Sequence, residues 1–313
     1  MPDYRDGQRK LPMCTISCEV HDHPDALAQM LGASGDQAEC RKHKPGFFRV
    51  QRSSVSCNQT LFCQISIEGG IEFRGLLPTC STCFAFPESL GSGVSLNGIE
   101  VESGNLIVLK PCAELHLISQ RGFQCVMLQT QQEISSKLWG LGRNDSLSRP
   151  DVFCQKPGPT ANLYNLVCQS IHAANSDISG VVIRHLNEVI DSQPINIETL
   201  KTVKTRSVLN RSLTWIDSHI NTTQSIKALC RDTGISERTL ERYYKRTYNR
   251  TPKQYLIMVR LNQVYRYLKA ADPYSSSVST IASSAGFQHM GRFASQYVSL
   301  FGEAPKKTLG YRI

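Results

Sequence analysis

The sequence predicts an α+β protein, with a β-rich N-terminal part and an all-helical C-terminal third. Two observations favour this division. Between about residues 47 and 128, short apolar runs are punctuated by glycine and proline, as in antiparallel sheets. After residue 207, apolar residues recur at spacings of three and four, which is typical of amphipathic helices. A length of 313 residues is sufficient for two domains of ordinary size.

The order of these patterns divides the chain into four segments. Residues 1–44 are polar and are predicted to form an irregular arm. Residues 45–192 are predicted to form a β-rich domain with trailing helices, and residues 193–206 lack a clear apolar stripe and are predicted to be a linker. Residues 207–313 are predicted to form the all-α domain.

Net charge is divided unevenly between the two parts. Residues 206–313 contain 17 Lys/Arg and 6 Asp/Glu, a net +11, whereas residues 1–205 contain 18 and 20, a net −2. Such asymmetry favours a nucleic-acid or membrane-surface partner for the basic part alone. No stretch approaches 18 consecutive apolar residues, and the first ten residues have no apolar run. We therefore expect no membrane span, no secretory signal peptide and a cytoplasmic location.

The β-rich segment is expected to fold as a small antiparallel barrel or sandwich. Residues 61–67 show apolar residues at every second position, Glu68-Gly69-Gly70 interrupts the run, and Ile71 and Phe73 resume it. This arrangement predicts a β-hairpin. Residues 161–174 and 178–192 carry apolar residues at helical spacing and predict two helices after the strands.

Twelve cysteines require a choice between disulfides, a metal site and buried thiols. Eleven of them precede residue 170. Because the chain is long and has no export signal, we expect reduced thiols. Cys80 and Cys83 could form half a zinc site or a redox pair, but a zinc site needs about four ligands. The nearest further candidates show no recognisable spacing: Cys14, Cys18, Cys40 and His43.

Histidines suggest a second metal hypothesis. His21 and His23 are separated by one residue, as in metal-binding barrel enzymes related to the cupins. Such sites need further ligands from neighbouring strands, and the predicted strands carry His116 alone. We therefore expect no metal ion and no cofactor, and we interpret the cysteines as buried apolar side chains.

A helix-turn-helix pattern lies between Ser225 and Tyr248. Gly234 permits the positive φ that lets two helices meet at a sharp angle. Ser236 is a favourable N-cap for the second helix. The open face of that helix is predicted to present four side chains at helical spacing, namely Arg238, Glu241, Arg242 and Lys245.

The pattern recurs about fifty residues later, with Ala285-Gly286-Phe287 as the turn and a helix from about Met290 to Phe301. Between the two units, one long helix is predicted from Pro252 to Ala270, because proline suits the first turn of a helix. The polar groups near the start of the second recognition helix are Gln288, His289 and Arg292.

These residues resemble the AraC/XylS family of bacterial transcription regulators over about residues 207–313. In the first unit the resemblance rests on Leu229, Gly234, Ser236, Leu240, Arg242, Tyr244, Pro252, Tyr255, Arg260 and Leu261. In the second it rests on Ile281, Ala282, Gly286, Phe287, Phe293, Tyr297, Phe301, Gly302 and Pro305. The resemblance implies two helix-turn-helix units, joined by a rigid helix, whose recognition helices enter successive major grooves about 34 Å apart.

The N-terminal part is similar to the family in a shorter segment, Glu102–Pro111 followed by Leu115 and His116. This segment resembles part of the cupin-like β-barrel with which the family binds small effectors, forms homodimers, or does both. The resemblance implies a sequence-specific regulator, of the activator type, that binds promoter DNA and helps to recruit RNA polymerase. It implies no catalysis.

Two sets of residues are predicted to contact DNA. The base-reading set is Arg238, Glu241, Arg242, Gln288, His289 and Arg292, because arginine suits guanine O6/N7 and glutamate suits cytosine N4. The phosphate set is Ser236, Lys245, Arg246, Arg250, Lys253, Lys306 and Lys307. Ala294 and Ser295 stand where the family usually offers a polar or basic pair, so we expect the first unit to read most of the sequence.

Four alternatives remain open at this stage. The basic face of the first recognition helix could be a solvated surface, and Arg242 could instead anchor the helix through an internal ion pair. The N-terminal part could be an enzyme with a reactive cysteine, which would require a strongly depressed thiol pKa. The chain could also be an architectural DNA-binding protein, which would show weak sequence preference.

Overall fold

The computed structural model confirms a β-rich N-terminal part and an all-α C-terminal part. It describes residues 15–30, 38–57, 59–76, 81–90, 93–109, 114–131, 152–155, 160–173, 176–192, 203–222 and 225–310. The linker predicted over residues 193–206 lies largely outside these ranges, as does Cys80. None of the described helices is long and apolar enough to cross a membrane.

The N-terminal part consists of two antiparallel sheets packed face to face. In spatial order, the seven-stranded sheet contains β1 (Thr15–His21), β3 (Arg49–Cys57), β4 (Thr60–Glu68), β11 (Gly122–Thr130), β6 (Thr82–Leu90), β9 (Leu106–Leu109) and β12 (Val152–Gln155). The five-stranded sheet contains β2 (Glu39–Lys42), β5 (Ile71–Leu76), β10 (Glu114–Ser119), β7 (Val94–Leu96) and β8 (Ile99–Glu100). In the described part of the chain these strands form a sandwich and not one closed barrel.

Two predictions for this part are wrong in detail. Residues 1–44 were expected to be an irregular arm, but β1, the helix α1 (Asp25–Met30) and β2 lie within them. The hairpin predicted around Gly69 does not form, because β4 and β5 belong to different sheets. Gly69 has φ +102°, and a Cβ there would lie 2.5 Å from the carbonyl oxygen of Phe47. This tight corner carries the chain from one sheet to the other.

Side-chain alternation along the strands builds two separate cores. Cys63 and Ile65 face the interior between the two sheets, together with Phe73 of the opposite sheet. Phe62 and Val126 face outward and pack against two further helices, α2 (Thr160–Ala173) and α3 (Ser176–Ser192). The central strands of the seven-stranded sheet are therefore buried on both faces.

In its described residues, 203–222 and 225–310, the C-terminal part contains seven helices around its own core. They are α4 (Val203–His219), α5 (Ile226–Thr233), α6 (Glu237–Tyr248), α7 (Pro252–Ala270), α8 (Val278–Ser284), α9 (Met290–Phe301) and α10 (Pro305–Thr308). The core of this part also includes Ile118 of β10. The outer face of the five-stranded sheet thus packs directly against the helices.

Candidate nucleic-acid interface

The first helix-turn-helix unit consists of α5, a turn at Gly234 and α6, as predicted. Gly234 ends α5 with φ 66° and ψ 20°, in the left-handed region. The Ser236 hydroxyl caps α6 by accepting a hydrogen bond from the Thr239 amide at 3.3 Å. Leu240 and Tyr244 are fully buried beneath the helix, so packing determines which side of α6 faces outward.

The outward side of α6 carries the four side chains expected there. Arg238, Glu241, Arg242 and Lys245 are all exposed. The guanidinium of Arg242 lies 5.1 Å from the ring centroid of Tyr243, and no salt bridge to it occurs within the described residues. This arrangement gives no support to the alternative in which Arg242 forms an internal ion pair.

The second unit consists of α8, a turn at Gly286 and α9. Gly286 has φ +84°, and a Cβ there would lie 3.1 Å from the carbonyl oxygen of Thr222, so the turn packs closely on the end of α4. The exposed polar side chains at the start of α9 are Gln288, His289 and Arg292. The Ser295 hydroxyl donates to the Gly291 carbonyl within the helix at 3.1 Å.

The helix α7 joins the two units. Thr251 and Gln254 form a capping box at its start, and Pro252 occupies its first turn. Nineteen helical residues span about 28 Å at about 1.5 Å per residue. A spacer of this length is comparable with the distance between successive major grooves.

Most of the predicted phosphate-contacting side chains are exposed, whereas two are engaged elsewhere. Lys245, Arg246, Lys253, Lys306 and Lys307 are exposed. The Ser236 hydroxyl is occupied by the cap and by Thr239 Oγ1 at 2.8 Å. The Arg250 guanidinium turns toward the N-terminal part and donates to the carbonyl of His43.

In this conformation Arg250 lies in the domain interface, and its contact with a DNA phosphate stays a prediction. Burial also lowers the pKa of its guanidinium from the ordinary value. The sequence around Arg250 gives only a weak indication of this place in the domain interface, since an arginine after a helix suits a DNA-binding surface equally well.

An interface that the sequence analysis missed joins β2 to α7. The Asn262 side chain accepts from the Lys42 amide at 2.7 Å and donates to the Lys42 carbonyl at 3.0 Å. Asn262 is buried within α7, and β2 is an edge strand. The amide of Asn262 thus pairs with both backbone groups of one edge residue, as a neighbouring strand would.

A buried ionic network lies beside this contact. Arg41 of β2 is 2% exposed and lies 2.9 Å from Asp217 Oδ1 and 3.9 Å from Glu72 Oε2. Glu72 is fully buried, with the Tyr255 hydroxyl 2.8 Å from each of its oxygens and His116 Nε2 at 2.9 Å. Burial by itself raises the pKa of Glu72, but its hydrogen bond and charge contact with His116, together with Arg41, lower it to about 2. The network therefore favours an ionised Glu72.

The cysteines differ in part from the expectation of reduced thiols. Those that are free among the described residues are Cys18, Cys40, Cys63, Cys83, Cys125, Cys168 and Cys230. Cys57 is instead disulfide-bonded. Burial raises the pKa of the Cys63 thiol to about 12, and it raises those of Cys83 and Cys125 further. These shifts are opposite to the depressed pKa that a reactive cysteine would need.

Metal-binding side chains are not gathered into a group of three or more anywhere in the described ranges. His21, the last residue of β1, and His23 are half-buried and lie edge to face, with ring centroids 5.4 Å apart. His116 is instead bonded to Glu72 in the domain interface.

Comparison with known proteins places the C-terminal part in a recognised class. Residues 229–310 match a family model described as a helix-turn-helix domain. The probable thc operon regulatory protein of Rhodococcus erythropolis is 29% identical over 102 residues, which cover 33% of this chain and 31% of that protein. The XylDLEGF operon transcriptional activator of Pseudomonas putida is 28% identical over 262 residues, 79% of this chain and 80% of that protein.

The chain is also similar to a protein of known structure. A probable AraC family transcriptional regulator from Rhodopseudomonas palustris CGA009 is 29% identical, covering 33% of this chain and 94% of its own, with a TM-score of 0.30. The chain thus spans about a third of the first of these relatives and about four fifths of the second.

Proposed function

The chain is a DNA-binding transcription regulator of the AraC/XylS family, and on that premise we propose that it activates transcription from promoters that α6 recognises. The observation that carries this proposal is the capped, basic and fully exposed outer face of α6. Arg238 and Arg242 have the geometry to donate two hydrogen bonds to guanine, and Glu241 can accept from cytosine. The P. putida relative is named as a transcriptional activator, which supports activation and not repression in this proposal.

In this proposal the second unit contributes mainly to affinity. Gln288, His289 and Arg292 offer few base-reading groups, whereas Lys306 and Lys307 add positive charge close to α9. Contacts with phosphates position a protein on DNA without reading bases. We therefore assign most sequence information to the half-site under α6, with the other half-site held by phosphate contacts and DNA shape.

The test is a selection of binding sites from random DNA by the full chain. We expect an enriched site with two parts whose centres are about one helical turn apart, and with stronger base preference in one part. Absence of any enriched sequence, combined with binding at low salt, would instead indicate an architectural DNA-binding protein.

Control by a small effector is part of the proposal. A cavity of about 90 Å³ lies between the two sheets, lined by side chains that include Ile65, Phe73, Ala85 and Leu115. Its lining contains no charged side chain. Apolar cavities in proteins stay dry and can admit small apolar molecules, so this lining suits a compact, uncharged, apolar molecule.

A thermal-shift screen of small apolar compounds tests this part. A compound that binds only the folded state raises the melting temperature as its concentration rises. A screen in which only charged or strongly polar metabolites stabilise the protein would rule out this cavity as the effector site.

Three further assignments follow from the family. We propose that the protein acts as a homodimer, contacts RNA polymerase at the promoter, and works in the cytoplasm, where promoter DNA is found. Sedimentation of the full chain across a concentration series tests the dimer, and transcription with purified polymerase tests activation.

A further inference from the structure

The five-stranded sheet has two faces with different neighbours. Phe73 of β5 and Leu115 of β10 point into the cavity between the sheets. The next residue along each strand, Glu72 before Phe73 and His116 after Leu115, lies on the opposite face. Adjacent residues of the same strand therefore contact the cavity and the helical domain.

The outer face holds the helical domain by polar contacts from both strands. Glu72 receives the Tyr255 hydroxyl of α7 at 2.8 Å. His116 Nε2 lies 3.5 Å from the hydroxyl of Tyr248, the last residue of the recognition helix α6. The neighbours of the cavity-lining residues Phe73 and Leu115 thus contact the recognition helix α6 and the helix α7 that joins the two units.

The contacts of Glu72, Tyr248 and Tyr255 do not tolerate a gradual displacement of β5. Glu72, Tyr248 and Tyr255 are each fully buried, and a buried carboxylate that loses its partner is strongly destabilised. Because interiors are packed at crystal-like density, a shift of β5 by a fraction of an ångström must be taken up by the network. Packed interfaces of this kind change between discrete arrangements.

We propose that β5 and β10 couple the cavity to DNA binding, with Glu72–Tyr255 as the contact that transmits the change. Altered packing around Phe73 shifts the Glu72 carboxylate relative to Tyr255, and α7 responds by changing the relative placement of the two helix-turn-helix units. This inference rests on the proposed effector cavity and names the route by which its occupant regulates the protein.

The test is a double-mutant cycle in the full chain. F73L alters the cavity wall, and Y255F removes only the hydroxyl, which donates to Glu72 and accepts from Arg41. The matched control is Y244F, because Tyr244 is equally buried in the same aromatic cluster but bonds Ser212 within the helical domain at 3.0 Å. The measured quantity is the Kd for a DNA site selected by the wild-type chain, read by fluorescence anisotropy.

We expect F73L to change the Kd by about fivefold or more in the wild-type and Y244F backgrounds, within the usual range of allosteric coupling. In the Y255F background the same substitution should change the Kd by less than about twofold. An equal effect of F73L in all three backgrounds, or no effect in any, overturns the proposal.

If the F73L variant does not fold, A85V replaces it as the cavity variant in the double-mutant cycle. Ala85 lines the same cavity from the seven-stranded sheet, so this variant adds side-chain volume to the cavity without altering β5.

Benzene, added to the wild-type chain, distinguishes this proposal from the effector proposal. Stabilisation by benzene without any change in the Kd for DNA would leave the cavity as a binding site and exclude the coupling. A coupled F73L or A85V effect without benzene binding would keep the coupling and exclude benzene-sized occupants.

Discussion

The side-chain amide of Asn262, in the middle of α7, forms hydrogen bonds with both the N–H and the C=O of Lys42 in the edge strand β2. Two residues 220 positions apart thereby join the helix that spaces the DNA-binding units to the outermost strand of a sheet. The contact is buried, so its loss leaves backbone groups without water or partner.

We predict that Asn262→Ala destabilises the full chain by about 1–3 kcal/mol for each Lys42 backbone group left unpaired. Urea unfolding of the variant and the wild type measures this difference. The control is Gln263→Ala, because Gln263 is also buried on α7 but bonds Asn221 and Tyr267 within the helical domain. Gln263→Ala should lower the free energy of unfolding equally in the full chain and in the isolated helical domain. If Asn262→Ala also has the same effect in both, the contact with Lys42 does not contribute to stability.

The helical domain should fold and bind DNA by itself. A fragment beginning at Val203 contains all of α4 and the residues that pack with it, including Leu213, Ile216 and Leu229. It lacks Ile118, the N-terminal residue within that core, so we expect lower stability but retained helical content. Circular dichroism and DNA binding at low salt measure both properties. A soluble, helical fragment with no affinity for DNA would contradict the assignment of the binding surface.

Arg238→Ala should weaken binding to the preferred site by about 1–3 kcal/mol and relax base preference at one position, as expected for loss of a bidentate guanine contact. The measurement is a binding titration against single-base variants of the selected site. Arg292→Ala is the comparison, since Arg292 occupies the start of the second recognition helix and is equally exposed. If Arg292→Ala abolished the base preferences and Arg238→Ala left them intact, the second unit would be the reader.

Lys306→Ala should weaken binding to all sequences alike and reduce the slope of log K against log salt by about one unit, because one phosphate contact is lost. Titrations at several salt concentrations measure the slope. Arg121→Ala provides the control, since Arg121 is an exposed cation between β10 and β11 in the N-terminal part. An unchanged slope for Lys306→Ala would remove this residue from the phosphate-contacting set.

His43 should make stability depend on pH. Burial lowers its pKa from 6.5 to about 4, while Glu72 opposes and Arg250 and Lys44 reinforce the shift. Between these values the unfolded state binds the proton and the folded state does not, so stability falls as pH falls from about 6.5 to about 4. The expected loss is up to about 1.4 kcal/mol per pH unit.

Urea unfolding at intervals between pH 7 and pH 4 measures this dependence. His43→Gln should flatten the curve over that range, because the group whose pKa burial lowers is removed. Identical curves for the wild type and His43→Gln would show that His43 is protonated equally in both states.

The helix-turn-helix units were predictable because their determinants are local. The caps at Ser225, Ser236 and Thr251 and the left-handed turn at Gly234 involve residues within four positions of one another. Burial of Leu240 and Tyr244 follows from helical spacing, and it leaves the opposite side of α6 exposed. The sequence alone therefore determined which helices of the two helix-turn-helix units form and which faces of α6 and α9 are open.

The tertiary structure decided what depends on distant residues. The alternation of apolar and polar residues did not determine which strands pair, since the same pattern around Gly69 is compatible with a hairpin or with a corner between two sheets. Nor could the position of Arg250 in the domain interface, or the pairing of Arg41 and Glu72 with Tyr255, be inferred from neighbouring residues. These contacts bridge about two hundred residues, and a buried charge is acceptable only when the whole fold supplies its partners.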